Sequence, residues 1–370
     1  MRILFTFIGG SGHFLPLVPV AQAAAGAGHT VAVAGAASLG ASINAVGLTA
    51  FATSPPRREP PQRTAPLKPD PEREDRDLRE NFARRGARRQ AAAILELVRD
   101  WKPDILVRDE VDFGAAIAAE RLAVPCATVL VLAAGGFLRK EIVAGPLHEL
   151  RAEYGLPADP DLAMLDRILV LSPFPPSFRS PDSPLPATAF SFRPTAATPA
   201  LTSSTIPTVY LTLGTEFNHA DLFSQLLVGL RELPANLIVT VGEQIDPAEF
   251  GPLPAQVRME RFIPQELILP DCDLVISHGG SGSVMGALAH GLPSVLIPLG
   301  ADQPHNARRC LELGTARVLD PCTVTASELE STVLAVLADP GYRRSAERIR
   351  DEINSLPGPE STVARLEQLG

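Results

Sequence analysis

Short apolar runs alternate with helical stretches and glycine-rich turns along this chain, and that rhythm predicts its architecture. Ile3 to Ile8 is apolar except for Thr6, as a buried parallel strand should be. Phe14 to Gly26 follows as a helix stopped by Gly26 and Gly28, and Thr30 to Ala34 is the next strand. Ile105-Leu106-Val107 begins another strand, ending at Arg108-Asp109-Glu110, with a helix from about Gly114 to Leu122 and a strand from Cys126 to Leu132 behind it. The alternation then restarts. Thr208 to Leu213 is a strand leading into Gly214-Thr215-Glu216, Leu222 to Leu233 an amphipathic helix, and Leu237 to Val241, Leu274 to Ser277 and Ser294 to Pro298 are further strands. Strands that alternate with helices predict parallel sheets covered by helices on both faces. The restart predicts an α/β protein of two Rossmann-like domains.

Two segments interrupt the pattern. Ser54 to Asp77 is crowded with proline and charge (Pro55, Pro56, Arg57, Arg58, Glu59, Pro60, Pro61) and is expected to be a mobile loop with no packed element. Pro173 to Pro207 is rich in proline and serine, and its later part is expected to link the domains. The expected division is a first domain over 1–192, a linker over 193–206, a second domain over 207–338 and a terminal helical segment over 339–370 with a break at Pro357-Gly358-Pro359.

Composition supports this frame and removes some functions. A chain of 370 residues suits two domains that each bury a core. Hydrophobic residues make up 45% of it, and mean hydropathy is +0.12, as for a soluble globular protein. The net charge of −9 argues against general binding to nucleic acid or anionic membranes, which calls for a basic field. Cys126, Cys272, Cys310 and Cys322 have no CxxC pairing or zinc spacing and read as reduced thiols of a cytoplasmic protein. Arg2, the apolar stretch after it and Ala21-Gln22-Ala23 imitate a secretory signal, but the polar turn Gly9-Gly10-Ser11-Gly12-His13 interrupts it. No run approaches the roughly 20 apolar residues of a membrane span.

The candidate chemistry lies at the carboxyl ends of strands. After Leu274 to Ser277 come His278, Gly279, Gly280, Ser281, Gly282 and Ser283, where a helix begins. Exposed N–H groups, the positive end of the helix dipole and a neighbouring histidine make an anion site suited to a phosphate or diphosphate. After Ser294 to Pro298 the polar cluster Asp302, Gln303, His305 and Asn306 emerges at the same edge, where open α/β sheets bind ligands; carboxylate and amide groups there suit sugar hydroxyls. The glycines of Gly9 to His13 do not spell GxGxxG, which argues against NAD. His13 taken alone reads as a hydrogen-bonded loop residue or as a general base. Asp109 also lies at a carboxyl strand end, so the two could meet above one sheet and form an imidazole–carboxylate pair. Glu110 and Asp112 are rival carboxylates.

The stretch from Leu274 to Asn306 resembles the nucleotide-sugar site of the family 1 glycosyltransferases, which have two facing Rossmann-like domains (the GT-B fold), and especially the bacterial members that act on natural products. The resemblance covers nearly the whole chain. It implies that His278, Gly280, Ser281, Gly282 and Ser283 hold the donor diphosphate, with Ser11, Gly12 and Thr215 reaching it from the cleft, and that Asp302 and Gln303 bind the donor sugar. In Met259 to Gln265, Phe262 would stack on the base where plant members have tryptophan, Ile263 would pair with it through its backbone, and Gln265 follows. The segment Gly12-His13-Phe14-Leu15-Pro16 looks like the catalytic-base motif, with Asp109 supporting His13, and Phe14 and Phe113 are placed against the acceptor. Gly282 and Gly286 stand where plant members carry Asn and Glu; bacterial relatives vary in the same way, so a dTDP-deoxysugar is expected first as donor and a UDP-sugar second, with a small hydrophobic acceptor such as a polyketide aglycone. An epimerase or hydrolase of nucleotide sugars, or a non-catalytic helper of a partner enzyme, is the alternative within this fold. No cofactor is expected, and a homodimer is compatible with the sequence without being specified by it.

Asp271-Cys272-Asp273 matches the DxD motif that holds a divalent metal in other glycosyltransferases. It precedes its strand, at the wrong end of the sheet, and no zinc or EF-hand spacing occurs elsewhere, so no metal is expected.

Overall fold

The structure, a computed structural model, describes residues 1–55, 69–194, 205–214 and 220–370. In chain order the strands are β1 (Arg2–Thr6), β2 (Thr30–Ala36), β3 (Thr49–Ser54), β4 (Ile105–Asp109), β5 (Cys126–Val129), β6 (Val170–Ser172) and β7 (Ala189–Ser191), then β8 (Thr208–Thr212), β9 (Asn236–Thr240), β10 (Val257–Glu260), β11 (Leu274–Ser277), β12 (Ser294–Leu296) and β13 (Ala316–Val318). They form two sheets, ordered β3-β2-β1-β4-β5-β6-β7 and β10-β9-β8-β11-β12-β13. Each neighbouring pair is parallel. Both sheets are doubly wound, and in each the order reverses beside the first strand. The reversal opens a crevice at the carboxyl ends of β1 and β4 in one sheet and of β8 and β11 in the other.

Burial follows the apolar runs. Ile3, Phe5 and Val107 lie in the first core with helix residues such as Leu17, Val20 and Ile117, and Val209, Leu211, Leu237 and Ile276 lie in the second with Leu226 and Val333. A third cluster joins the halves: Leu130, Ala133, Phe174 and Phe178 from the first meet Val284, Met285 and Leu288 of the Ser281–Ala289 helix and Ile349 and Ile353 of the Pro340–Ser355 helix. Each large apolar side chain buried there contributes about 1.5–3 kcal/mol. The terminal Glu360–Glu367 helix returns to the first half. Its Leu366 joins the first core, the Arg365 guanidinium lies 3.8 Å from the centre of the Phe190 ring, and Glu367 pairs with His29 at 3.1 Å.

Several local expectations are corrected. The first helix begins at Ser11, not Phe14, as a turn over Ser11–Phe14 that runs through Leu15–Leu17 into Val18–Gly26, so His13 sits within a helical turn rather than in the loop before it. β5 stops at Val129; Leu130 still donates its N–H to Leu171 O of β6 at 2.9 Å, and Val131 and Leu132 leave the sheet. Part of the expected loop Ser54 to Asp77 is ordered as a helix, Pro71–Asp77, capped by the Asp70 side chain accepting from the N–H groups of Glu72 and Arg73; Pro71 suits its first turn, where no amide is needed. No residue of that helix is buried, and 56–68 lie outside the described residues. The helix passes into a π-helix, Leu78–Gly86, and then Ala87–Trp101. The proline-rich segment from Pro173 supplies edge strand β7, and most of the expected linker, 195–204, lies outside the described residues.

Asp273 of the DxD-like triplet accepts from the Thr208 N–H at 2.9 Å and pairs with Arg343 at 3.2 Å. Its carboxylate ties β8 to the Pro340–Ser355 helix at the amino edge of the sheet. Among the described residues no group of His, Cys, Asp and Glu could hold a metal ion, and no helix is long and apolar enough to cross a membrane.

Candidate active site

His13 and Asp109 occupy the switch point of the first sheet. β1 and β4 are neighbours, so the turn after one and the end of the other share an edge, and His13 Nδ1 stands 3.3 Å from Asp109 Oδ2. The carboxylate is fully buried and fixed by backbone donors: Ile8 N–H to Oδ2 at 2.9 Å, and Val111 and Asp112 N–H to Oδ1 at 2.6 and 2.8 Å. Such a carboxylate orients an imidazole without itself moving. The His13 side chain keeps 22% of its exposure. Burial pulls its pKa down, and the Asp109 carboxylate beside it, with the charges of Asp302 and Glu110, outweighs burial and holds it above 6.5. Gly9 leaves room for the ring. Its φ is +109°, and a Cβ there would lie 2.7 Å from His13 Cδ2 and 3.1 Å from Nε2.

The rival carboxylates have other tasks. Asp112 caps the Phe113–Leu122 helix by accepting from Ala115 N–H at 3.0 Å and also accepts from Gln90 Nε2 at 2.9 Å; burial, with Asp109 nearby, pushes it up to about 6. Glu110 accepts from Val131 and Leu132 N–H at 2.9 and 3.0 Å.

The second sheet repeats the arrangement. His278 follows β11, beside Gly214 at the end of β8, and Gly280 caps the Ser281–Ala289 helix with its backbone in an extended conformation. A Cβ on Gly280 would lie 2.5 Å from His278 Nε2. Burial lowers the His278 pKa to about 4, so the imidazole is neutral at pH 7 and offers a dipole rather than a charge. Ser281 Oγ donates to Asp302 Oδ2 at 2.6 Å, and Asn306 Nδ2 donates to the same oxygen at 2.7 Å, to Ser281 Oγ at 3.2 Å and to Gly279 O at 3.0 Å. Burial raises the Asp302 pKa, opposed by these bonds and by the charge of His13 across the cleft.

The remaining expected donor residues divide. Phe262 is 57% exposed, so it is no core residue and offers an open aromatic face. Ile263 packs against the cluster around Tyr210 and Leu269. Gln265 reaches the same helix, with Nε2 3.4 Å from Ser283 Oγ, and Ser283 is buried. Gly12 and Gly282 are exposed, and a Cβ on either would meet nothing within 4 Å. Ser11 opens the His13 turn. Gln303 is 2% exposed, its carbonyl accepting from Leu299 and Gly300 N–H at 2.7 and 3.2 Å, which leaves its amide N–H groups as the part able to serve a ligand. Thr215 lies outside the described residues. The acceptor placement of Phe14 and Phe113 is corrected: they are 2% and 0% exposed, both in the first core, and Phe14 packs on Phe7 with ring centroids 5.5 Å apart.

The family model for the C-terminal domain of erythromycin biosynthesis protein CIII-like proteins matches residues 224–369. L-demethylnoviosyl transferase of Streptomyces niveus is 30% identical over 375 aligned residues that take in 97% of this chain and 96% of that enzyme. The chain belongs to the family 1 glycosyltransferases of natural-product type. The solved glycosyltransferase SnogD from Streptomyces nogalater superposes with a TM-score of 0.80 at 27% identity over the whole of both chains. Glycosyltransferase VinC, solved in complex with dTDP, does so at 0.77 and 24% identity, over 100% of this chain and 99% of that one. The fold is therefore GT-B and the activity sugar transfer.

Some elements of this glycosyltransferase site have no sequence signal. Phe82, in the π-helix, brings its ring centroid to 6.0 Å from that of His13, although it sits in an arginine-rich stretch without apolar periodicity. Ala133 N–H donates to Ser281 Oγ at 2.8 Å and Ala134 N–H to Asn306 Oδ1 at 3.1 Å; these are backbone groups of apolar residues. Asn306 stands in the polar cluster after β12, and its link to Asp302 follows from the four-residue spacing on a helix.

Proposed function

We propose that this glycosyltransferase moves a sugar from a nucleoside diphosphate, dTDP first and UDP second, to a hydroxyl of a natural-product aglycone, with inversion and with His13 as general base. The observation that carries the reading is His13, backed by Asp109, facing the Ser281–Asp302–Asn306 cluster of the other half close enough that His13 and Asp302 perturb each other's ionisation. His13 Nε2 takes the acceptor's proton as the acceptor oxygen bonds to the anomeric carbon. The bond from that carbon to the diphosphate oxygen breaks, and the diphosphate departs from the opposite face, so a single displacement inverts the centre. The N-terminus of the Ser281–Ala289 helix and neutral His278 donate hydrogen bonds to the charge that develops on the leaving group. Asp302 and the Gln303 amide hold sugar hydroxyls, and Phe262 stacks on the base.

The dTDP in the VinC complex supports the order of donors, and the erythromycin-type family model supports a polyketide-like acceptor. A calorimetric comparison of dTDP, UDP, GDP and NAD tests the nucleotide; binding of NAD with none of dTDP or UDP would contradict the reading. Product analysis with a dTDP-sugar and a panel of aglycones tests transfer, and the anomeric configuration of the product tests inversion.

A further inference from the structure

Asp109 and Glu110 are adjacent at the end of β4, and their carboxylates hold different segments of the first half. Asp109 turns to His13. Glu110, 5% exposed, turns to the segment leaving β5, where its Oε2 accepts the Val131 and Leu132 N–H groups. Arg179 supports it from behind: Nη2 lies 4.0 Å from Glu110 Oε1, Nη1 donates to Leu132 O at 2.8 Å and Nε to Ser183 O at 2.9 Å. The next two residues of the segment, Ala133 and Ala134, dock through their N–H groups on Ser281 and Asn306, the pair that holds the Asp302 carboxylate.

We propose that Glu110, braced by Arg179, is a positioning residue for sugar transfer: it fixes the segment 131–134 so that docking on Ser281 and Asn306 sets Asp302 in register with His13. The inference rests on the roles proposed above for His13 and Asp302. Glu110 is buried and its partners are protein groups, so it acts through the segment and not as a catalytic group. A single strand end then governs both the base and the sugar-holding carboxylate, and an error of about 1 Å between such groups can cost about a hundredfold in rate.

The test uses the full chain with Glu110→Ala, Glu110→Gln and Gly135→Ala. Gly135 has φ +73°, and a Cβ there would lie 2.6 Å from the Arg179 guanidinium carbon, so Gly135→Ala strains the backbone beside the segment and pushes on the arginine that braces it, with Glu110 intact. Amide exchange of the 131–136 peptide, the Kd for dTDP and kcat for transfer are measured on each. Glu110→Ala is expected to speed exchange and lower kcat, each at least tenfold, with a smaller change in Kd because His278, Phe262 and most of the helix start assigned to the nucleotide lie away from the segment in the second half. Glu110→Gln keeps an oxygen for both N–H groups and is expected to restore most of both quantities. Gly135→Ala should reproduce the Ala pattern, which keeps the idea testable if Glu110→Ala does not fold. Wild-type kcat in Glu110→Ala or Gly135→Ala overturns the proposal, including when thermal stability falls. Failure of the wild-type protein to bind dTDP or UDP would instead remove the donor reading, while the exchange measurement still decides whether Glu110 docks the segment.

Discussion

His13 Nδ1 faces Asp109 Oδ2 at 3.3 Å, and that carboxylate is itself held by three backbone N–H groups. The imidazolium is therefore favoured, and the His13 pKa lies above 6.5. A base must be unprotonated to act, so kcat/KM, which reports the free enzyme, is expected to rise with pH through an acid limb centred above 6.5. Asp109→Asn removes the charge and leaves burial, which lowers the pKa, so the limb should move to lower pH while the plateau falls by about tenfold or more. The stability linked to this pair is fully present below pH 6.5 and is lost as pH rises through the raised pKa. The pH–rate profile and NMR titration of the His13 ring check both parts.

Gly9→Ala should damage transfer without touching the donor half. The new methyl would meet the His13 ring at 2.7 Å on a backbone with φ +109°, so either the ring turns away from Asp109 or the turn distorts. We expect kcat to fall about a hundredfold with the dTDP Kd unchanged, measured by steady-state kinetics and calorimetry.

Phe262 is 57% exposed, so Phe262→Ala removes little packing. Thermal stability should stay within about 0.5 kcal/mol of wild type, as for surface substitutions. Loss of base stacking should weaken dTDP binding by about 1–3 kcal/mol, read by calorimetry.

Arg151 is 3% exposed and forms a two-pronged pair with Glu120 at 2.7 and 2.9 Å, while also donating to Pro157 O. Arg151→Ala leaves the half-buried Glu120 with Arg167 at 2.9 Å as its remaining partner and is expected to cost about 1.5–3 kcal/mol in urea denaturation. The Arg151 hydrogen bonds, working against burial, lower the Glu120 pKa below 4.5, so this contribution is present above pH 4.5 and is lost as pH falls through the lowered value.

The central strands of both sheets were legible because they are short apolar runs with glycine-rich turns, signals that survive without any knowledge of contacts; β3, β6, β7, β10 and β13 were not, because they are short or carry polar residues, as in Val257-Arg258-Met259-Glu260. The placement of His13, Asp109, His278 and Asp302 was legible because each ends or follows a strand, and the carboxyl edge of a parallel sheet is where such residues meet. Phe14 and Phe113 misled because an aromatic residue beside a catalytic motif looks the same in sequence whether it faces the cleft or the core; helical phase, set by the early start of the first helix at Ser11, turns Phe14 inward. Ala133 and Ala134 were invisible because they act through their amides, and every residue except proline has one. The helix at Pro71–Asp77 was obscured by proline and charge, although Asp70-Pro71 is a helix start when read as a cap followed by a first-turn proline.

The most direct measurement is single-turnover transfer from a dTDP-sugar to an accepted aglycone by His13→Ala, alongside its Kd for dTDP. The account predicts a rate lower by about 10²–10⁴-fold with Kd within threefold of wild type, because the base lies in one half and the nucleotide site in the other. Transfer at the wild-type rate would contradict the role of His13.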